Sequence, residues 1–185
     1  HTLRFEFEEV KYHIPITTQI VIDEYYREQG NTGNKCWLAA LLQKKPDKGL
    51  IMLDSLRDWR KVGWNLYGNQ YTIYAFAALN RSNHEEVKQA IYLLNGVQTG
   101  VTITQDAMNQ FDTGQTWDIT PDTRIIGGHA VYLVGYTTTG PVCITWGKKQ
   151  QMTWAWWDKY VDEAYAIVDS KDTWASNSII DVELL

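Results

Sequence analysis

The chain has 185 residues, enough for one domain with a single sizeable core. Hydrophobic residues make up 44% and charged residues 21%, a balance that excludes a disordered or fibrous chain. Lys and Arg total 17 against 22 Asp and Glu, and the resulting net charge of −5 argues against nonspecific nucleic-acid binding. The basic pairs Lys44-Lys45, Arg60-Lys61 and Lys148-Lys149 read as solvated faces, and no apolar run approaches membrane-spanning length. Nine Trp and eleven Tyr imply a core rich in large rings, with some left for groove walls. Two cysteines give no disulfide framework; Cys143, in a strand-like run, reads as an ordinary buried thiol.

In chain order, residues 3–10 alternate Leu3, Phe5, Phe7 against Arg4, Glu6, Glu8, the pattern of a half-buried strand. Tyr12 to Ile16 is predicted extended around Pro15. A polar glycine-bearing loop, 30–35, leads into an apolar helix over 36–43 that Pro46 ends. Leu53, Leu56 and Trp59 predict a helix over 50–62, stopped by Gly63. Residues 71–77 read as one strand. Ser82 and Glu85 form a capping box before an apolar stripe of Val87, Ile91 and Leu94, and Asn95-Gly96 closes that helix. Residues 97–104 alternate as a strand, and 105–124 read as a long polar connection carrying Trp117. Strands are predicted over 130–136, 142–146 and 164–168, with a short helix opening at 152–157. Asp162-Glu163 reads as a solvated turn, and 171–185 as a tail or extra edge strand. Helices early and strands late predict an α+β fold, with N-terminal helices packed against a C-terminal antiparallel sheet in one compact domain. Within it, 1–28 is taken as an N-terminal strand region, 29–168 as the core and 169–185 as the tail or edge strand.

Two stretches carry chemistry. Gly127-Gly128-His129-Ala130-Val131 puts a histidine at the head of a buried strand, and Cys36 stands at the start of a predicted helix. A thiol at a helix N-terminus is acidified by the exposed amides and the helix dipole, and a histidine within reach can act as its base. The remaining histidines do not assemble a metal site: His1 is terminal, His13 lies in the N-terminal strand region and His84 in a helix cap. No metal or cofactor is expected, and Gly127-Gly128 precedes a strand, so it is not a phosphate-binding loop.

Taken together, the loop Gln29-Gly30-Asn31-Thr32-Gly33-Asn34-Lys35 followed by Cys36-Trp37, and Gly128-His129-Ala130-Val131 followed by Gly135-Tyr136 and Trp146-Gly147, resemble the papain-like (C1-type) cysteine peptidase superfamily. A compact bacterial and phage branch is more similar still, on Trp59-Arg60-Lys61-Val62-Gly63, Thr145-Trp146-Gly147, Met152-Thr153-Trp154 and Asp162-Glu163-Ala164-Tyr165-Ala166. The resemblance implies a papain-like fold, with Cys36 as nucleophile and His129 as base. It makes Gln29, or Asn31 if the loop shifts, the oxyanion donor, and has Trp146 packing over the histidine. It also implies a protein or peptide partner and a cytoplasmic or virion-associated location. The chain opens on His1 rather than Met, so the absence of a signal-peptide pattern carries little weight.

Three departures separate the chain from the peptidases. Their oxyanion glutamine lies six residues before the cysteine, whereas Gln29 lies seven before Cys36 (36 − 29 = 7), which a one-residue bulge in the loop would absorb. The asparagine that orients their histidine, two residues before the tryptophan, is Ile144 here, leaving Thr145 or a backbone carbonyl to substitute. Lys35 stands directly before Cys36, where the compact branch usually has an acidic residue, and would favour the thiolate. These departures favour a noncatalytic or weakly active structural or interaction module, as in a phage particle. The alternative is a cysteine-dependent peptidase or amidohydrolase using Cys36 and His129.

Overall fold

A computed structural model describes residues 16–30, 49–94, 96–121 and 124–168. The strand expected over 3–10, the helix over 36–43, and the tail over 171–185 lie outside the described residues. The fold is α+β, and the chain divides at Ile73/Tyr74 into two compact units.

The described residues of the first unit form two helices and a hairpin. Helix α1, Thr18–Glu28, begins where the Thr17 hydroxyl accepts the Ile20 N–H at 3.3 Å. It falls inside the region read from sequence as strand. Helix α2, Met52–Lys61, buries Met52, Leu56 and Trp59, one stripe at helical spacing. Its end is set by Gly63, at φ 77°, whose N–H bonds back to the Asp58 carbonyl. Strands β1, Trp64–Leu66, and β2, Asn69–Tyr71, then pair antiparallel, Trp64 opposite Tyr71. The indole of Trp64 packs on that of Trp59, ring centres 6.3 Å apart.

The described residues of the second unit form a six-stranded antiparallel sheet with three helices. In chain order its elements are β3 (Ala75–Ala78), α3 (His84–Leu94), β4 (Val97–Thr104), α4 (Gln105–Asp112) and β5 (Ile125–Tyr136). They continue with β6 (Pro141–Thr145), β7 (Lys148–Gln151), α5 (Trp154–Tyr160) and β8 (Val161–Val168). The strand order is β3-β8-β4-β5-β6-β7. Strand β4 lies between β8 and β5, and seven of its eight residues are buried, so it reads as a continuous covered strand. Helix α3 presents Val87, Ala90, Ile91 and Leu94 to the sheet, where they join Val97, Val131, Leu133, Trp117, Trp156 and Trp157 in one apolar cluster. Each fully buried aliphatic side chain in it stabilises the fold by about 1.5–3 kcal/mol.

Several expectations are corrected. The strand expected over 71–77 is two pieces: Tyr71 pairs with Trp64 in the hairpin, and Ala75 pairs with Val168 in the sheet. Its residue types favour strand throughout, but the partners differ. The capping box is displaced by one residue, with Asn83 accepting the Glu86 N–H at 3.4 Å while Glu86 reaches back to the Asn80 N–H at 2.9 Å. The polar connection after β4 contains α4, whose first turn is capped by the Thr104 hydroxyl at 3.1 Å from the Ala107 nitrogen. Asp162 and Glu163 lie within β8 rather than in a turn. Strand β5 starts at Ile125, so His129 stands inside the strand rather than at its head.

Replacing Gly63 by alanine combines left-handed strain with a Cβ driven against the Tyr71 carbonyl and the Thr72 methyl. It should lower stability by about 2 kcal/mol or more in chemical denaturation. Gly147, also at positive φ but in open space, should cost less on the same substitution.

Candidate functional site

The second unit builds a site around His129. The ring is half-buried on β5, opposite Val101 of β4. Its Nε2 lies 2.7 Å from the hydroxyl of Thr145, the last residue of β6. Along β6, Pro141, Cys143 and Thr145 are buried while Val142 and Ile144 are only half-buried, as alternation requires. Ile144, at the position of the peptidase asparagine, therefore points to the face away from Thr145. The hydroxyl next to it in sequence is what meets the imidazole, and Thr145 is only 4% exposed.

Beyond Thr145 the chain reverses over Trp146 and Gly147 into β7, with Thr145 paired to Lys148. Both turn residues have positive φ, 43° and 76°, as a two-residue hairpin of this hand demands. Glycine accepts that conformation freely; a tryptophan there is strained by about 1–3 kcal/mol. The strained indole lies flat on the imidazole, centres 4.4 Å apart and planes 11° from parallel. Behind it, Phe111 of α4 meets Trp146 edge-on at 4.8 Å, and fully buried Trp117 does so at 6.3 Å. Trp117 is itself fixed by its indole N–H on the Ala107 carbonyl, 2.8 Å, and stacked on Trp156 at 4.7 Å. An aromatic chain thus ties the histidine to the apolar cluster. Phe111 and Trp117 went unassigned in sequence because α4 hides in a polar stretch; the Thr104 cap before Ala107, Met108 and Phe111 is the signal that could have found it.

Burial pushes the His129 pKa down from 6.5. With Nε2 engaged by Thr145, the neutral ring offers Nδ1 as its other nitrogen, and whichever nitrogen lacks a proton can act as a base. Cys143, fully buried in β6, has its thiol pushed up to about 12 by burial, so it is a packing residue and not a nucleophile.

Of the residues singled out from sequence, His129, Thr145 and Trp146 come together. Gln29 is in the first unit, at the C-terminal end of α1, its N–H on the Tyr25 carbonyl at 3.3 Å. Asn31, Lys35 and Cys36 lie outside the described residues.

The first unit also gathers Glu24, Glu28 and Asp58, with carboxylate oxygens all within 4.8 Å of one another. Sequence reading missed the group because Asp58 comes from another helix. These are ligand types for a hard cation. Arg27, however, already donates to Glu24 at 2.6 and 2.9 Å and to Asp58, so the cluster carries its own cation. Burial drives Glu28 up to about 7, against a hydrogen bond from Ser55 that lowers it.

Comparison with known proteins found no matching family model and no matching curated protein. Among solved structures, the chain is similar to xylellain, a cysteine protease from Xylella fastidiosa. The TM-score is 0.54 at 11% identity, over 82% of this chain and 77% of that one. At that identity the likeness shows the fold alone, which is papain-like.

Two pH dependences follow. Because the His129 pKa is depressed in the fold, its contribution to stability is present above 6.5 and lost as pH falls through the lower folded value. In the Cys36→Ala chain, an NMR titration of the His129 ring should give a midpoint below 6.5, and a midpoint above it would contradict the burial. Glu28 has the opposite sign. Its contribution is fully present below 4.5 and lost as pH rises through about 7, so Glu28→Gln should flatten the melting temperature over that window.

Proposed function

We propose that this protein is a cysteine-dependent hydrolase of peptide or isopeptide amides, with Cys36 as nucleophile and His129 as its base. The observation that carries the reading is the restraint on His129: a buried hydroxyl 2.7 Å from Nε2 and an indole flat on one ring face. A histidine serving only to fill a strand needs neither, least of all a tryptophan held in a strained turn.

The Cys36 thiol loses its proton to His129 and the sulfur attacks the amide carbonyl carbon. The oxyanion is held by the Cys36 N–H and by Gln29 or Asn31. His129 passes its proton to the departing amine as the C–N bond breaks. Water, deprotonated by His129, then hydrolyses the thioester and restores the thiol. Lys35 favours the thiolate, and Thr145 does what asparagine does in the peptidases, keeping the ring from rotating. In support stands the papain-like fold shared with a cysteine protease.

Ile144, apolar at the asparagine position, favours a second reading: a structural or interaction module on the same fold, such as one carried in a phage particle. On that reading a partner complex forms equally well with Cys36→Ala.

The test is covalent labelling by a peptide-based thiol electrophile at neutral pH, followed by mass spectrometry. Cys36 should react far faster than a free thiol, and His129→Ala should reduce it to that background. Thr145→Val should slow it roughly 10²-fold, the order expected when a catalytic group is misplaced by about 1 Å, whereas Thr145→Ser should retain most of it. Labelling at the free-thiol rate in the parent chain would overturn the hydrolase reading.

A further inference from the structure

Beside the Trp146 hairpin lies a cavity of about 450 Å³. Its walls are the end of α4 and the loop after it, Phe111 to Thr116, and strand β7, Lys148 to Gln151. It neighbours the candidate site: Phe111, which lines it, touches the same indole that covers His129. Volumes of this order hold small ligands or a few peptide side chains.

The charges on its walls are unbalanced. Lys148 and Lys149 both line it, against one carboxylate, Asp112. The Lys148 ammonium is 5.4 Å from the centre of the Phe111 ring. No ion pair involves either lysine among the described residues. In a chain of net charge −5, two cations without ionic partners among the described residues, in the wall of a cavity whose Phe111 touches the indole over the candidate base, favour an anionic guest. The polar walls, among them Thr113, Gln115 and Gln150, suit an extended peptide better than a lipid or an aromatic ligand. Strand β7 is also the edge of the sheet. Its Gln151 carbonyl already accepts the Trp117 N–H at 2.9 Å, so main-chain pairing on that side is established a short way along the strand.

We infer that this cavity is a substrate subsite that selects peptides with a glutamate or aspartate flanking the bond presented to His129, read by Lys148 and Lys149. The inference rests on the hydrolase reading for what happens to the peptide, but not for its binding.

The experiment therefore uses the full chain carrying Cys36→Ala, titrated with three capped tetrapeptides that differ only in a central pair: two glutamates, two glutamines or two lysines. Binding is followed by amide and indole chemical shifts. The glutamate peptide should bind about threefold to tenfold more tightly than the glutamine peptide, the range expected for two partly exposed ion pairs, and the advantage should shrink with added salt. Shifts should concentrate on Phe111 to Thr116, Lys148 to Gln151 and the Trp146 indole. Replacing both lysines with glutamine should abolish the difference, and replacing both with glutamate should transfer it to the lysine peptide. Equal binding of the glutamate and glutamine peptides, or shifts that avoid these residues, would overturn the subsite. Acidic-peptide binding here together with background labelling of Cys36 in the parent chain would leave the subsite standing and remove the hydrolase.

Discussion

The stack of Trp146 on His129 is the contact on which the rest of the site depends. The hydrogen bond between Nε2 and the Thr145 hydroxyl fixes one atom of the imidazole but leaves the ring free to swing about that point. A flat indole 4.4 Å away removes the swing by closing one face. Two constraints of different kind, one directional and one steric, thus define the ring plane and leave Nδ1 without a hydrogen-bond partner among the described residues. Such restraint must come from the scaffold, because a histidine side chain has only two torsions and both are soft in water.

The restraint is bought by strain in the hairpin. A two-residue turn of this hand is satisfied by Asn-Gly or Gly-Gly, and the hairpin of the first unit, turning on Tyr67 at φ 53° and Gly68, shows that this chain tolerates an aromatic in that place twice. At Tyr67 the ring is 64% exposed. At Trp146 the same conformation aims the indole between His129 on one side and Phe111 and Trp117 on the other. Aromatic pairs contribute about 0.5–1.5 kcal/mol each beyond burial, so three of them offset a left-handed residue. Trp117 matters most here, since it is the member that is fully buried and hydrogen-bonded, and it transmits the rigidity of the core to a ring that is itself 44% exposed.

How far this was legible in the sequence depends on whether a residue's role is set by near neighbours. Val87, Ile91 and Leu94 announce α3 because helical spacing alone puts them on one face, and all three are buried. Strand β4 was legible for the same reason. The stretch 71–77 was misread because β-branched and aromatic residues specify a strand but not its partner, and the chain changes partner between Tyr71 and Ala75. Helix α4 was missed because only Ala107, Met108 and Phe111 break its polarity, and its apolar contacts are to Trp117 and Trp146, residues distant in sequence. Trp146 over His129 could be expected from Trp-Gly in the motif. The carboxylate cluster of Glu24, Glu28 and Asp58 could not, since it exists only once two helices are laid side by side.

Strand parity explains why Ile144 is less of a defect than it looks. In a strand, neighbouring side chains face opposite ways, so residues 144 and 145 cannot both see the same ring. Thr145 occupies the buried face and reaches Nε2; Ile144 is on the other, opposite Tyr132 in the register of β5 and β6. An asparagine at 144 would add a polar group to a face that does not meet the imidazole, whereas isoleucine there packs against an aromatic neighbour, a pairing that favours the sheet. The requirement on the site is a hydrogen-bonding atom at Nε2, not a residue type at one place in the alignment. A threonine hydroxyl can be donor or acceptor as the ring demands, so it can follow the imidazole through protonation without losing the bond. The fold rests on an extended apolar cluster and is shared at 11% identity; the hydrogen bond to the ring rests on one atom, and one atom can be supplied from the next position along the strand.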